Sequence, residues 1–298
     1  MFFAKYTCKL GPLYWVRLVG TALARAALQR RKSAVRLSFD RSSHPVIEVD
    51  AGLHPPVNRR PLGRLIAFEG IDGSGKRTQL DLLAGVLAAG QGGPSIFTTG
   101  FPQYDSWFGK MIGQFLNGDL GPLENVDPHF TAMLYAGDRF EAKPKLETAL
   151  NNGQIVLVDR YIGSNLAHQT ARVPVEKRGA FRRWIEHLEY GIYGLPREDL
   201  ILYLRVPPRQ AQSLVAQKSA RTYTTAKQDI LEASLRHLEQ AAEMYDLLSQ
   251  QAPWASIECY DSPSGAMRSP KDIAQEVLAA VNKITTTQVM RDSGAGGS

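Results

Sequence analysis

The stretch Leu65-Ile66-Ala67-Phe68-Glu69-Gly70-Ile71-Asp72-Gly73-Ser74-Gly75-Lys76-Arg77-Thr78-Gln79-Leu80 constrains the fold more than any other, because a short apolar run, a glycine-rich turn and an amphipathic segment follow without a gap. Together they predict strand, phosphate-binding loop and helix. Gly70, Gly73 and Gly75 leave out the Cβ where backbone N–H groups must close round an anion. The helix that opens behind them adds its unpaired N–H groups and the positive end of its dipole. Lys76 would then reach the β- and γ-phosphates. The spacing of Gly70, Gly75 and Lys76 fits a P-loop, but the position after the lysine, filled in that pattern by Ser or Thr, holds Arg77. The alternative is a glycine-rich turn before an ordinary helix. Leu80, Leu83, Ala84 and Leu87 favour the P-loop by supplying the helical apolar face it requires.

With 298 residues and 44% hydrophobic content, the chain can bury a sizeable core in one or two domains. Arg17 and Arg25 interrupt the most apolar part of the N-terminus, so no run approaches the roughly 18 residues of a membrane span, and none is expected. Of 35 Lys/Arg and 29 Asp/Glu, residues 1–62 hold 11 and 3, which leaves 24 against 26 in the remainder. The basic balance therefore belongs to the N-terminus, and no nucleic-acid binding is expected of the rest. Cys8 and Cys259 are too far apart in sequence for a metal-ligand cluster, and two cysteines in a chain this long suit a reducing compartment, with no disulfide and no structural zinc.

Residues 1–62 carry no acid before Asp40, a potential amphipathic helix from about Leu13 to Leu28, the basic run Arg30-Arg31-Lys32, and Pro45, Pro55, Pro56 and Pro61. They read as a basic, disordered extension without chemistry. Either they act as a mitochondrial transit peptide or they are an extension outside the working protein. The expected compartment is the cytoplasm, or the mitochondrion if the first reading holds.

Strands and helices then alternate, which predicts an α/β fold: a doubly wound parallel sheet of about five strands with helices on both faces, over residues 63–285. A disordered tail, 286–298, follows. Ser95 to Thr99 reads as a strand ending at Gly100-Phe101-Pro102-Gln103-Tyr104, where open α/β sheets bind ligands, although core packing alone also explains Phe101. Residues 107–117 and 128–150 have helical periodicity. In the second, Tyr135 and Arg139 are four apart and share a face, so the pair can stack on a base and hydrogen-bond its carbonyl edge, or can simply be solvated. Ile155 to Arg160 suits a buried parallel strand delivering Asp159 and Arg160 to the sheet's carboxyl edge, where an Asp helps to hold Mg²⁺ in P-loop enzymes. Asn165 and His168 lie three apart on the next helix. Asp199 to Val206 is a further strand, closed by Pro207-Pro208 and a helix through Ala216. The polar, basic run 217–227 occupies the place of a mobile lid, and Asp229 to Ser249, Trp254 to Tyr260 and Pro270 to Ile284 read as helix, strand and helix.

These pieces together resemble the thymidylate kinase family of P-loop nucleoside monophosphate kinases, over about residues 64–285. The resemblance rests on Phe68 to Lys76, Phe101-Pro102, Asp138-Arg139, Asp159-Arg160-Tyr161 with Ser164-Asn165, and Pro196 to Val206. It implies transfer of the γ-phosphoryl of MgATP to dTMP, giving dTDP, by in-line displacement. Gly70, Ile71, Asp72, Gly73, Ser74, Gly75, Lys76, Arg77 and Thr78 would bind ATP, with Lys218 joining from a lid at about 217–228. Phe101, Gln103, Tyr135, Arg139, Arg160, Asn165 and Gln169 would line the dTMP pocket, with Tyr135 stacking on thymine and Arg139 reading it. Lys76, Asp72, Arg160 and Arg221 would carry catalysis, Asp159 and Asp72 would hold Mg²⁺, and Asp229 with Glu232 would close with the lid. The family's habit implies a homodimer. Four features depart from the pattern: Arg77 in place of a hydroxyl, Gln103 in place of an arginine, His168 where many members have Tyr, and the N-terminal extension. Two alternatives follow: a related P-loop kinase for another pyrimidine nucleotide or deoxynucleoside, and a catalytically degenerate nucleotide-binding module.

Overall fold

A computed structural model describes residues 36–39, 45–48, 62–90, 95–216 and 234–294. Within the stretch read as an unstructured extension, β1 (Arg36–Phe39) pairs antiparallel with β2 (Pro45–Glu48). Residues 61–298 form a separate compact unit built on five strands. These are β3 (Arg64–Glu69), β4 (Ile96–Gly100), β5 (Ile155–Asp159), β6 (Leu200–Arg205) and β7 (Trp254–Glu258). They lie in the order β4-β5-β3-β6-β7, and every pairing is parallel. The three inner strands are the continuous apolar runs LIAF, IVLV and LILYL, buried on both faces as a helix-covered parallel sheet demands, while β4 and β7 at the edges are partly exposed.

The helices follow the strands. α1 (Lys76–Ala89) opens after β3, and α2 (Trp107–Asn117) and α3 (Pro128–Asn151) cross from β4 to β5. Ser106 caps α2 by accepting from Gly109 N, and Asp127 caps α3 by accepting from His129 N ahead of Pro128 at the first helical position. α4 (Ile162–Thr170) and α5 (Val175–Glu186) follow β5, and α5 runs on as a turn of π-helix, His187–Ile192. α6 (Pro208–Ala216), α7 (Leu235–Leu248) and α8 (Pro270–Gly294) complete the unit. α8 continues ten residues beyond Ile284, where the sequence reading ended it. The region Tyr260 to Met267, read in part as strand, forms a short antiparallel pair apart from the main sheet.

The connections out of β3 reverse the sheet's growth: β4 and β5 lie on one side of it and β6 and β7 on the other. The carboxyl ends of β3 and β5 therefore meet at the point where open α/β sheets take ligands. A smaller apolar cluster of Ile112, Phe115, Leu116, Val126 and Leu134 joins α2 to α3 beside that edge.

Candidate active site

β3 ends in Glu69, and the chain then turns through Gly70, Gly73 and Gly75, all at positive φ. Two of these positions also need the absence of a side chain: a Cβ on Gly70 would lie 2.7 Å from Leu204 O, and one on Gly73 would collide with Ala211 O. The loop folds its lysine inward. Lys76 Nζ donates to Gly70 O (3.0 Å) and Ile71 O (2.9 Å), with Ser74 Oγ at 3.4 Å. Burial, reinforced by the Arg160 charge and opposed by Asp72, Asp159 and Glu69, brings its ammonium down to about 8. It remains a cation at neutral pH, held where a phosphate would replace the carbonyls. The loop, closed to side chains by its glycines and backed by the N-terminus of α1, fits a polyphosphate.

Arg77 turns away from this centre. Its Nε pairs with Asp81 Oδ2 at 2.9 Å on the outer face of α1, and its side chain is 67% exposed. Thr78 is exposed as well.

Arg160 leaves β5 with φ +65°, a left-handed backbone that a non-glycine residue adopts only when its surroundings fix it. Several contacts fix it. Its N–H donates to Phe68 O (3.0 Å), Nη2 to Asp72 Oδ1 (2.6 Å), and Nη1 to Ser164 Oγ (3.1 Å) and Gly70 O (3.3 Å). Behind Ser164 stands Glu69, fully buried, whose carboxylate accepts from Ser164 Oγ (2.6 Å), Tyr161 N (2.7 Å) and Tyr245 Oη (3.0 Å). Burial works against the charged form of Asp72, but Arg160 and Lys76 outweigh it and hold the carboxyl well below the usual range. Among the described residues no three His, Cys, Asp or Glu side chains converge on a metal position. Mg²⁺ beside a nucleotide needs only one or two carboxylates besides phosphate and water, and Asp159 stands at the end of β5, one residue from Arg160.

A cavity of about 530 Å³, its open mouth included, adjoins this network. Phe101, Tyr135, Arg160, Asn165 and Gln169 line it as expected, and so do Asp72, Pro102, Tyr104, Leu116, Ser164 and His168. Two expected residues do not. Gln103 Nε2 bonds Thr99 Oγ1 (3.0 Å), while its backbone N–H is held by Asp138 Oδ2 (2.9 Å), so the side chain is turned back onto β4. Arg139 faces Glu189: its Nε and Nη2 each donate at 2.6 Å, with both side chains buried. The cavity feels that pair through Asn165, whose Nδ2 bonds the same Glu189 Oε1 (2.7 Å) and Ala132 O (3.0 Å). Asn165 Oδ1 and His168 Nε2 are buried and have no hydrogen-bond partner.

His168 Nδ1 lies 3.2 Å from His237 Nε2 on α7. Burial, with Arg160 and His237 adding repulsion, keeps His168 well below its ordinary range, and burial brings His237 to about 4, so both rings are neutral at pH 7. Lys218, Arg221, Asp229 and Glu232 lie outside the described residues. Sequence reasoning missed Glu69 and Glu189 as organising carboxylates, and Tyr104 and Leu116 as cavity walls. Tyr104 stood two residues beyond the Phe101-Pro102 pair, and Leu116 lay on the apolar face of α2.

A sequence profile described as thymidylate kinase matches residues 68–258. The thymidylate kinase of Mycobacterium tuberculosis is 34% identical over 143 residues, which cover 48% of this chain and 65% of that protein. The chain thus spans just under two thirds of that relative. A probable thymidylate kinase of Pyrobaculum aerophilum is 29% identical over 222 residues, covering 74% of this chain and 96% of its own length. The solved thymidylate kinase of Candida albicans shares the fold, with a TM-score of 0.57 at 18% identity over 74% of this chain and 92% of that one.

Proposed function

The chain belongs to the thymidylate kinase family, and from that premise we propose that it transfers the γ-phosphoryl group of ATP to dTMP, giving dTDP and ADP. One observation carries the reading: Arg160 lines the cavity and at the same time bonds Gly70 O and Asp72 of the phosphate loop. A monophosphate seated in the cavity would meet the same guanidinium as the terminal phosphate of a nucleotide on the loop. In-line transfer needs that convergence and little else, because its catalysis is positioning and neutralisation of spreading charge. Lys76, already cationic and inside the loop, would exchange its carbonyl partners for β- and γ-oxygens. Glu69 fixes Ser164, Ser164 fixes Arg160, and Arg160 is thereby aimed before substrate arrives. Asp159 would hold Mg²⁺, which when bound neutralises phosphate charge. Asp72, kept ionised by Arg160, would lie near the acceptor's sugar hydroxyl.

The base reading follows from Asn165. Its free Oδ1 accepts a hydrogen bond, and thymine and uracil present N3–H there, whereas cytosine presents a lone pair. With Tyr135 and Phe101 on the walls, this favours dTMP or dUMP over dCMP. Phe130, Met133 and Phe140 form an exposed apolar stripe on α3, which supports a homodimer as the working form. No described helix is long and apolar enough to cross a membrane. The widely separated cysteines, one of them the buried free thiol Cys259, support a reducing compartment, the cytoplasm or, with residues 1–62 as a transit peptide, the mitochondrion.

A coupled assay of the full chain with MgATP and each of dTMP, dUMP, dCMP and UMP tests the proposal. The expected order places dTMP first and dCMP far below it. Turnover of none of the four, or of dCMP ahead of dTMP, overturns it.

A further inference from the structure

Gln169 lines the substrate cavity, and its amide has two ends of opposite character. Oε1 is taken: Arg172 Nη1 donates to it at 2.9 Å and Thr131 Oγ1 at 2.8 Å. A guanidinium has donors and no acceptor, so the amide atom beside Arg172 has to be the oxygen. Thr131 does not decide the matter. Its hydroxyl can donate or accept, and its proton has another acceptor in Pro128 O at 3.1 Å. Arg172 is thus the group that sets which end of the amide is turned away from the cavity.

The guanidinium is itself held from several sides. Nη1 also donates to Thr131 Oγ1 (2.7 Å), Nη2 donates to Leu123 O (2.9 Å) and to Val126 O, and the centre of the Phe115 ring lies 5.6 Å from Cζ. The turn ahead of α3, the start of α3 and the end of α2 therefore fix the cation, and the cation fixes Gln169. The other end of the amide, Nε2, makes no hydrogen bond with a described residue, and it is not among the buried polar atoms that lack a partner. It keeps accessible surface on the cavity wall. Arg160 bonds Ser164 near the start of α4, and Gln169 stands at the far end of that helix, roughly 7.5 Å farther along its axis. A monophosphate held by Arg160 fills the intervening length with its sugar. The edge of a pyrimidine opposite its glycosidic nitrogen, the C4 edge, then comes to Gln169.

We propose that Arg172 is a specificity-determining positioning residue: by holding Gln169 Oε1 it presents Nε2–H to the cavity, and so selects a pyrimidine with a carbonyl at position 4 over one with an amino group there. A carbonyl accepts from Nε2. An amino group sets donor against donor and leaves two desolvated polar groups without partners. Thymine and uracil belong to the first class, cytosine to the second. The assignment rests on the cavity being the acceptor's site, as proposed above, and adds the residue that orients the amide without touching the base.

Calorimetric titration of the full chain with dTMP and with dCMP, in the absence of ATP, tests it through the ratio of the two Kd values, which a change in stability alone does not move. The wild type should bind dTMP at least about tenfold more tightly. In Arg172→Gln the neighbouring amide can accept as well as donate, so Gln169 is free to reverse, and the ratio should fall at least about tenfold. Arg172→Lys, whose head only donates, should keep the ratio within about threefold of the wild type. Gln169→Glu, with Arg172 retained beside it, has an acceptor at both ends and should invert the preference to dCMP. An unaltered ratio in Arg172→Gln, a fall in Arg172→Lys as deep as that in Arg172→Gln, continued preference for dTMP in Gln169→Glu, or equal affinity of the wild type for the two nucleotides overturns the assignment. If Arg172→Gln does not fold, the other two variants decide. Selective binding of dTMP without its turnover in the coupled assay removes the kinase reading and leaves this assignment standing.

Discussion

Arg139 and Glu189, fifty residues apart in sequence, meet through two 2.6 Å hydrogen bonds with neither side chain more than 1% exposed. The fork-to-fork geometry is the strongest form of the ion pair. In so dry a setting its importance lies less in net stability than in the penalty for breaking it, since either partner alone would be a buried, uncompensated charge.

Arg139→Ala should therefore act on stability first. Loss of one partner of a buried pair costs about 3 to 5 kcal/mol, which for a unit of this size lowers Tm by about 6 to 20 °C. The double variant Arg139→Met/Glu189→Leu should recover part of that loss, because no charge is stranded. Differential scanning calorimetry reads both. An unchanged Tm in Arg139→Ala, with kcat/KM lost for dTMP alone, would place the guanidinium on the base instead.

Lys76→Met should lower kcat by at least about 100-fold, the scale set by removing one preorganised donor from a developing charge. Its ammonium now bonds the carbonyls of Gly70 and Ile71, so a modest drop in Tm accompanies the loss. Turnover within tenfold of wild type would show that the loop does not hold the transferred phosphate.

Arg77→Thr should do little. The side chain is exposed and paired only with Asp81, an i,i+4 ion pair worth about 0.3 to 0.5 kcal/mol. A kcat within about threefold of wild type and an unaltered Mg²⁺ titration are expected. A sharp rise in kcat would mean that Arg77 swings inward when nucleotide binds and hinders the metal.

Stability should change with pH in two opposed senses. His168 and His237 are depressed in the folded state, so from about 6.5 downward the unfolded chain takes up protons that the fold refuses, and each ring costs stability as pH falls towards 5. Glu198 is raised to about 7, so between its unfolded value near 4.5 and 7 the fold binds the extra proton and gains stability as pH falls. Two groups against one leave a net loss on the order of 1 to 2 kcal/mol between pH 6.5 and 5. Replacing both histidines with Gln should reverse the slope, leaving Glu198 to act alone. Urea unfolding at the two pH values measures it, and the same slope in both proteins would remove the histidines from the account.

The strands were legible because residues such as Ile155 to Val158 are apolar without interruption, a pattern that only a sheet covered on both faces explains. Arg160 was legible for the same reason, since it follows directly from a strand whose end could be placed, whereas Asn165 and Gln169 were reached only through the resemblance to the family's motifs. Arg139 was not. Its spacing from Tyr135 put it on the right helix, but the carboxylate that turns it inward lies in the π-turn after α5, a helix whose segment VEKRGAFRRWIE buries only Phe181 and Ile185 and gives little periodic signal. Gln103 failed in a similar way, because the bend that follows β4 turns its side chain back onto Thr99 of that strand, a contact that neither helical nor strand period encodes.

Position 160 is closed to gradual substitution. The backbone there sits at φ +65°, a conformation comfortable for glycine and tolerated by asparagine or aspartate, and none of these brings a cation. Lysine keeps the charge but carries neither the planar fork that spans Asp72 and Ser164 nor any relief of the backbone. Every single replacement therefore surrenders either local geometry or charge. In a library of variants this codon should stay silent at the protein level while its neighbours drift, and a lineage that lost the arginine could regain it only after rebuilding the turn.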